Sequence, residues 1–324
     1  MSNNIVTAYE LLNSNTDPKP QQLLEGVFES TGLACIAGST DTGKSMLLRD
    51  LCISITQEED SFLGFKLNTK SHTAIFVSTE DSKAMTTHLL GIQYEGLLHE
   101  SQNRLKFIFN PDSVLDSVAK VLDEGPADIV ILDCFGDIFE GDPIKSNEIR
   151  SFLKKFQRLS EEYNCLILFL HHTNKRSESD APSKHNLHGG QGFQAKMRAV
   201  VELRRDPNFS EKRHFCIVKG NYLRDEQKDK SYVLYFDKDN LRFNSKGERA
   251  EYSTLYDTPI ENQKLDFYRK ALPLRELGLT HREISIKLGV SESTISRLFK
   301  EATIKKWDQD KPVEEDDSDE LQVA

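Results

Sequence analysis

Residues 38–45 read Gly38-Ser39-Thr40-Asp41-Thr42-Gly43-Lys44-Ser45, a complete G-x-x-x-x-G-K-[ST] phosphate loop, and no other stretch constrains the fold so narrowly. It follows the apolar run Leu33-Ala34-Cys35-Ile36-Ala37. It precedes Leu47, Leu48, Leu51, Cys52 and Ile55, which fall at i, i+1, i+4, i+5 and i+8, one face of a helix. The spacing predicts strand 33–37, a curled loop, and a helix over 44–57. The glycines let successive backbone N–H groups of the loop turn toward phosphate oxygens, Lys44 reaches the β/γ oxygens, and the Ser45 hydroxyl offers a Mg²⁺ position. The positive end of the following helix adds to the same cradle. A nucleoside triphosphate, with ATP expected, is the predicted ligand.

Apolar runs alternate with helical patterns as far as residue 170. Strands are expected at 73–78, 105–109, 128–133 and 165–170, with helices at 82–98, 113–123 and 147–163. Near-continuous apolar strands in a βαβα order predict an α/β fold, a mainly parallel sheet covered by helices on both faces. Beyond residue 190 strand-like runs at 199–204, 213–218 and 231–236 lack helices between them, and antiparallel hairpins extending the sheet are expected. The polar stretch 174–190 is too long for an ordinary connection. The expected organisation is an N-terminal segment 1–30, an ATPase domain 31–243, a linker 244–261, a small helical module 262–305 and an acidic disordered tail 306–324.

The 324 residues carry 37% hydrophobic side chains, enough for one large core and a small one, and a net charge of −10. Part of that charge sits in Glu314-Glu315-Asp316-Asp317-Ser318-Asp319-Glu320, a like-charge run that argues for a solvated tail. A chain this acidic does not coat nucleic acid, so any contact with DNA must be local. The five cysteines stand singly in apolar runs, which fits reduced buried thiols and neither a disulfide framework nor a zinc ribbon. No leader sequence or span-length apolar run is legible, and a cytoplasmic protein without membrane contact is expected.

Ligands of open α/β sheets bind beyond the carboxyl ends of the strands. There the sequence places Glu80-Asp81, Asp133 and His171-His172. Asp133, after four apolar residues, reads as the Walker B carboxylate that holds Mg²⁺ together with Ser45. The next position, often a catalytic glutamate in ATPases, is Cys134. The group that orients the attacking water therefore shifts to Glu80. His171 and His172 are adjacent on a strand and must face opposite ways, which excludes a simple two-histidine metal pair. His172 is the candidate for sensing the γ-phosphate.

Together the phosphate loop, Ser78-Thr79-Glu80-Asp81, the Walker B strand, Phe169-Leu170-His171-His172-Thr173-Asn174-Lys175, Gly189-Gly190-Gln191-Gly192 and Val218-Lys219-Gly220-Asn221-Tyr222 resemble the RecA/DnaB-like motor ATPases, most closely the plasmid RepA-type hexameric replicative helicases. The likeness covers about residues 20–240. It implies Glu80 as catalytic base, His172 as sensor, Arg198 as a finger acting in trans on a neighbouring subunit, Lys219 near the same interface, and a homo-oligomer, a ring of six. It also implies single-stranded DNA passing through the ring on segments 135–147 and 174–190. The second segment offers Lys175, Arg176 and Lys184. The first is acidic, with Asp137, Glu140 and Asp142 against one Lys145.

Residues 279–297 resemble a helix-turn-helix. Thr280 and Glu283 form a capping box, Gly289 ends the first helix, and Ser291 caps the second. Ile284, Leu288, Val290, Ile295 and Leu298 are the expected core, packed with a helix near 263–277. Ser293, Thr294, Arg297 and Lys300 would then meet duplex DNA in the major groove. The leading expectation is an ATP-driven DNA helicase or translocase of a mobile element. The alternative is an ATP-switched DNA-binding regulator or loader that unwinds nothing.

Overall fold

The computed structural model describes residues 5–13, 20–188, 191–207, 209–221, 223–255 and 260–305. The acidic tail 306–324 lies outside them. The chain divides into two compact units, Met1–Tyr256 and Asp257–Ala324.

The first unit opens with a short helix α1 (Ala8–Asn13) and a hairpin of β1 (Gln22–Leu24) and β2 (Phe28–Glu29). β3 (Gly32–Gly38) then runs into the phosphate loop and α2 (Lys44–Thr56). A second small hairpin, β4 (Ser61–Phe62) with β5 (Phe65–Lys66), leads to β6 (Ala74–Ser78), α3 (Lys83–Gln93), β7 (Leu105–Phe109), α4 (Val114–Glu124) and β8 (Ile129–Asp133). α5 (Phe135–Ile138), α6 (Ser146–Tyr163), β9 (Leu166–His172), α7 (Gln191–Lys196), β10 (Ala199–Arg205), β11 (Lys212–Gly220), β12 (Lys230–Phe236) and β13 (Phe243–Glu251) follow. Among the described residues the main sheet has nine strands in the order β13-β12-β11-β10-β3-β9-β8-β6-β7. β3, β9, β8, β6, β7 and β10 are parallel, and β11 to β13 return antiparallel.

The central strands are apolar at every position because both faces are covered. On β3, Ala34 and Ile36 join Leu48, Leu51 and Ile55 of α2 in one core, while Leu33, Cys35 and Ala37 join Val118 of α4, Leu153 and Phe156 of α6 and Phe193 of α7 in the other. The period of two along the strand divides the same run between two layers. The fold is the RecA-like P-loop α/β architecture.

Two expectations change here. β10 lies parallel to β3 with Ala199 opposite Ala34, so only the three later strands form the antiparallel extension. Residues 244–251, read as the start of a linker, are strand: β13 pairs with β12 from Phe236↔Phe243 to Lys230↔Glu251. β13 is an edge strand with most side chains exposed. Its sequence therefore lacks the apolar signal of a buried strand. In addition, the helix expected to 98 ends at Gln93, before Gly96 at φ 71°.

The second unit holds α8 (Ile260–Glu276), α9 (His281–Leu288) and α10 (Glu292–Lys305). Tyr268, Ala271, Ile284, Ile295, Leu298 and Ala302 are its buried core, with Leu288 and Val290 packed against it. The Thr280 hydroxyl accepts the Glu283 N–H (3.3 Å) while the Glu283 carboxylate accepts the Thr280 N–H (2.8 Å), a closed capping box. Gly289 at φ 68° ends α9, and the Ser291 hydroxyl accepts the Thr294 N–H at 3.2 Å. No helix among the described residues is long and apolar enough to cross a membrane.

Candidate active site

The neighbours β3, β9, β8 and β6 all end on one edge of the sheet, so their terminal residues converge. There a cavity of about 450 Å³ is lined by Thr40, Asp41, Gly43, Lys44, Ser45, Arg49, Glu80, Asp81 and His172, and on its far side by Arg213, Phe236 and Phe243. The loop is closely packed. A Cβ on Gly38 would stand 2.5 Å from the Leu203 carbonyl oxygen. One on Gly43, which has φ 91°, would meet the Phe243 ring at 3.0 Å. Lys44 Nζ donates to the Ser39 carbonyl at 2.7 Å, inside the loop. Burial lowers the Lys44 pKa, and the neighbouring Asp133 and Glu80 carboxylates oppose that shift.

Asp133 ends β8, 3% exposed. Burial raises its carboxyl pKa to about 6 against a hydrogen bond from Ser45, and its Oδ1 has no partner among the described residues. An orphaned carboxylate oxygen beside a serine hydroxyl is the hard-oxygen donor set Mg²⁺ prefers. The residues present therefore fit that ion.

Glu80 and His172 come together as expected. His172 Nε2 lies 3.9 Å from Glu80 Oε1, and both side chains are open to solvent. Burial and the Lys44 charge lower the His172 pKa, so the ring is held neutral and free to donate or accept one hydrogen bond. His171 turns the other way, against the rings of Phe135 and Phe193 (4.9 and 4.5 Å), where burial lowers its pKa to about 3. The strand's alternation thus sends one histidine to the site and one to the core. Cys134 is buried with Sγ 3.5 Å from Glu80 Oε1, and all five cysteines are unpaired.

Arg198 and Lys219 are not brought to this pocket. Arg198 precedes β10 at the opposite end of the parallel strands; its N–H donates to the Leu33 carbonyl (2.7 Å) and its guanidinium pairs with Glu29 (2.6 Å). Lys219, opposite Val200, donates to the Gln194 carbonyl at 2.7 Å. The arginines that do reach the loop are two that the sequence reading passed over. Exposed Arg205, at the carboxyl end of β10, donates to the Asp41 carbonyl (2.6 Å), and Arg213 on β11 donates to that of Thr42 (2.9 Å). Arg204, expected as an exposed strand charge, is instead buried against Glu202 at 2.6 Å.

Sequence reading also missed Arg49, Asp50 and the aromatic wall. Arg49 and Asp50 lie off the apolar face of α2 yet are 2% and 1% exposed. Arg49 pairs with Asp81 at 3.0 Å, tying α2 to the segment that carries Glu80. Asp50 accepts from Arg242 (2.6 Å) and from the Phe243 N–H (3.0 Å), which fixes the start of β13 under the phosphate loop. Phe243 packs on Phe236 (5.0 Å between centroids), and the Arg213 guanidinium lies 5.9 Å over the Phe236 ring. Asp50 and Arg242 stand 192 residues apart, and neither carries a sequence signal of the pairing.

Lys184 is exposed in the 174–190 segment, whose ends are joined by a Thr173–Leu187 bridge. The side chains of Lys175 and Arg176 lie outside the described residues. In the first segment Lys145 pairs with Glu148 (3.1 Å), and Asp137 accepts from Thr79 at 2.7 Å. In the helical unit, Ser293, Arg297 and Lys300 are exposed on α10 and Thr294 is half-buried.

No curated protein sequence matches the chain. Among solved structures it is similar to the ATPase domain of a DnaB-family helicase, with TM-score 0.54 and 12% identity over 73% of this chain and 95% of that one. This likeness concerns the fold. The model of the AAA domain family matches residues 6–178, more than half of the sequence, and the chain belongs to that family, with a RecA-like P-loop ATPase domain.

Proposed function

We propose that the protein is a Mg²⁺-dependent ATP hydrolase acting on DNA, a RepA-type helicase or translocase that works as a homo-oligomeric ring, six subunits by the family resemblance. The observation that carries the hydrolase reading is the convergence of Lys44, Ser45, Glu80, Asp133 and His172 on one cavity. Residues 38–45 cradle the phosphates, and Arg213, Phe236 and Phe243 give the base an aromatic and cationic wall. Ser45 and Asp133 would hold Mg²⁺, which when bound neutralises charge on the phosphate oxygens. Glu80, half-exposed at the cavity mouth, orients and deprotonates the attacking water, and His172 beside it reads the γ-phosphate.

A finger in trans must come from a surface that is not committed to its own subunit's loop. Arg198 is the resemblance-based choice, and its placement away from Lys44 suits action on another subunit. Exposed Arg205 at the loop-side end of β10 is the structural competitor. Lys184, with Lys175 and Arg176, supplies the single-strand contacts. Ser293, Thr294, Arg297 and Lys300 on α10 supply those to duplex DNA. The acidic 135–147 segment favours the second reading, an ATP-switched DNA-binding regulator or loader.

The test is ATP hydrolysis without DNA, with single strands and with duplex, for the wild type, Glu80→Gln, Arg198→Ala and Arg205→Ala. Glu80→Gln is expected to retain nucleotide binding and lose about 10²–10⁴ in rate, the usual worth of a general base. The finger variant should recover activity when mixed with Lys44→Ala subunits, because each supplies what the other lacks. Single strands that leave the rate unchanged would remove the motor reading. Glu80→Gln hydrolysing within a few-fold of wild type would remove the assignment of the base.

A further inference from the structure

We infer that Glu80, Cys134 and His172 form a binding site for a thiophilic divalent cation of the Zn²⁺ class, separate from the Mg²⁺ position at Ser45 and Asp133. The three side chains come from the carboxyl ends of β6, β8 and β9, adjacent strands of the sheet. One carboxylate oxygen, one sulfur and one imidazole nitrogen lie within 4.8 Å of one another. Cys134 Sγ is 3.5 Å and His172 Nε2 3.9 Å from the same Glu80 oxygen. Donors around a tetrahedral ion with bonds of about 2.0–2.3 Å stand roughly 3.3–3.8 Å apart, so small side-chain adjustments close the shell.

The donor set decides which ion. Mg²⁺ demands six hard ligands and takes no thiolate, whereas Zn²⁺ accepts S, N and O together and keeps a fourth position open when the protein supplies three. Entry is unobstructed, since the Glu80 and His172 side chains are 53% and 40% exposed. Binding would displace the thiol proton of Cys134 to solvent and engage the His172 lone pair. Nothing else in the loop need move. Where catalytic glutamate is often found after the Walker B aspartate, this chain carries the thiol that completes the set. Bound zinc would occupy the carboxylate of Glu80 and the ring of His172, and so act as a reversible brake on hydrolysis. The braking effect rests on the roles proposed for those residues; the metal site itself does not.

The direct test is titration of the full-length, metal-free protein with Co²⁺ in excess Mg²⁺, read by absorbance. A thiolate-to-cobalt charge-transfer band and tetrahedral d–d bands are expected, with Zn²⁺ displacing both at one equivalent. Cys134→Ser should abolish the charge-transfer band while leaving the other four cysteines in place. His172→Ala, at an exposed side chain, should weaken Co²⁺ by at least about tenfold with the circular dichroism unchanged. Absence of the band in the wild type, or a band that persists in Cys134→Ser, would overturn the site. If the band behaves as expected but Zn²⁺ does not slow ATP hydrolysis, the metal site stands and the catalytic role of Glu80 falls.

Discussion

β10 carries two opposite charges into the interior, and neutralising one of them should unsettle a distant loop. Glu202 and Arg204 have side chains 3% and 7% exposed and pair at 2.6 Å. Arg204 also donates to the carbonyls of Asp180 and Ser177, both at 2.6 Å, and Glu202 accepts from the Ser183 N–H (2.9 Å) and Asn186 Nδ2 (3.1 Å). The pair thus clamps 177–186, within the segment proposed to grip DNA, onto the strand that ends at Arg205. Removing one partner of a buried pair costs about 3–5 kcal/mol, because the other charge is left desolvated. Glu202→Gln keeps an acceptor and leaves Arg204 its two carbonyls, so the lower end, about 3 kcal/mol, is expected. Arg204→Met strands the carboxylate and should cost as much. The double variant leaves no buried charge, and its cost should fall below the sum of the singles by about 2 kcal/mol. Urea unfolding gives the cycle, and hydrogen exchange of amides 177–187 locates the loss. Additivity within about 0.5 kcal/mol, or single variants costing under about 1 kcal/mol, would refute the clamp. Where the clamp is broken, basal ATP hydrolysis should persist and its response to single strands should fade.

Gly43→Ala should weaken nucleotide binding more than tenfold by equilibrium titration, since φ 91° and the Phe243 ring at 3.0 Å both oppose a Cβ; Gly43→Ala combined with Phe243→Ala relieves only the second obstacle and should recover binding only in part. Stability should fall on the acid side. His171, lowered to about 3, and His214, lowered by burial between Ser231 and Asp206, are neutral in the fold and take up protons on unfolding. Their contribution is therefore complete above the ordinary histidine range near 6.5 and is lost as pH drops through that range toward the folded values. His214→Gln, which can still serve both partners, should flatten part of that slope in denaturant titrations from pH 7 to 5, and an unaltered slope would count against His214.

What the sequence disclosed and what it hid follow from the range of the interactions involved. The phosphate loop, the apolar strands and the carboxylates at their ends are local signals: each needs only a few neighbours, and a parallel sheet carries all strand ends to one edge without further information. The capping box at Thr280 and the αL turn at Gly289 are equally local. The aromatic wall is not. It exists because Asp50, on a helix near the start, accepts the N–H of Phe243 at the head of an edge strand, and neither residue type betrays the pairing. The arginines of β10 show the same limit more sharply. Arg198, Arg204 and Arg205 look alike in sequence, yet one pairs with Glu29 at the far end of the sheet, one is sealed against Glu202, and one reaches the phosphate loop. Register against β3 separates them: Ala199 opposite Ala34 puts Arg198 at the amino end, and the length of β10 carries Arg205 to the carboxyl end. A finger must be chosen by that geometry. Arg204, whose release would cost the clamp, is excluded, so a subunit-mixing experiment that distinguishes Arg198 from Arg205 also decides which end of the sheet a neighbouring subunit meets.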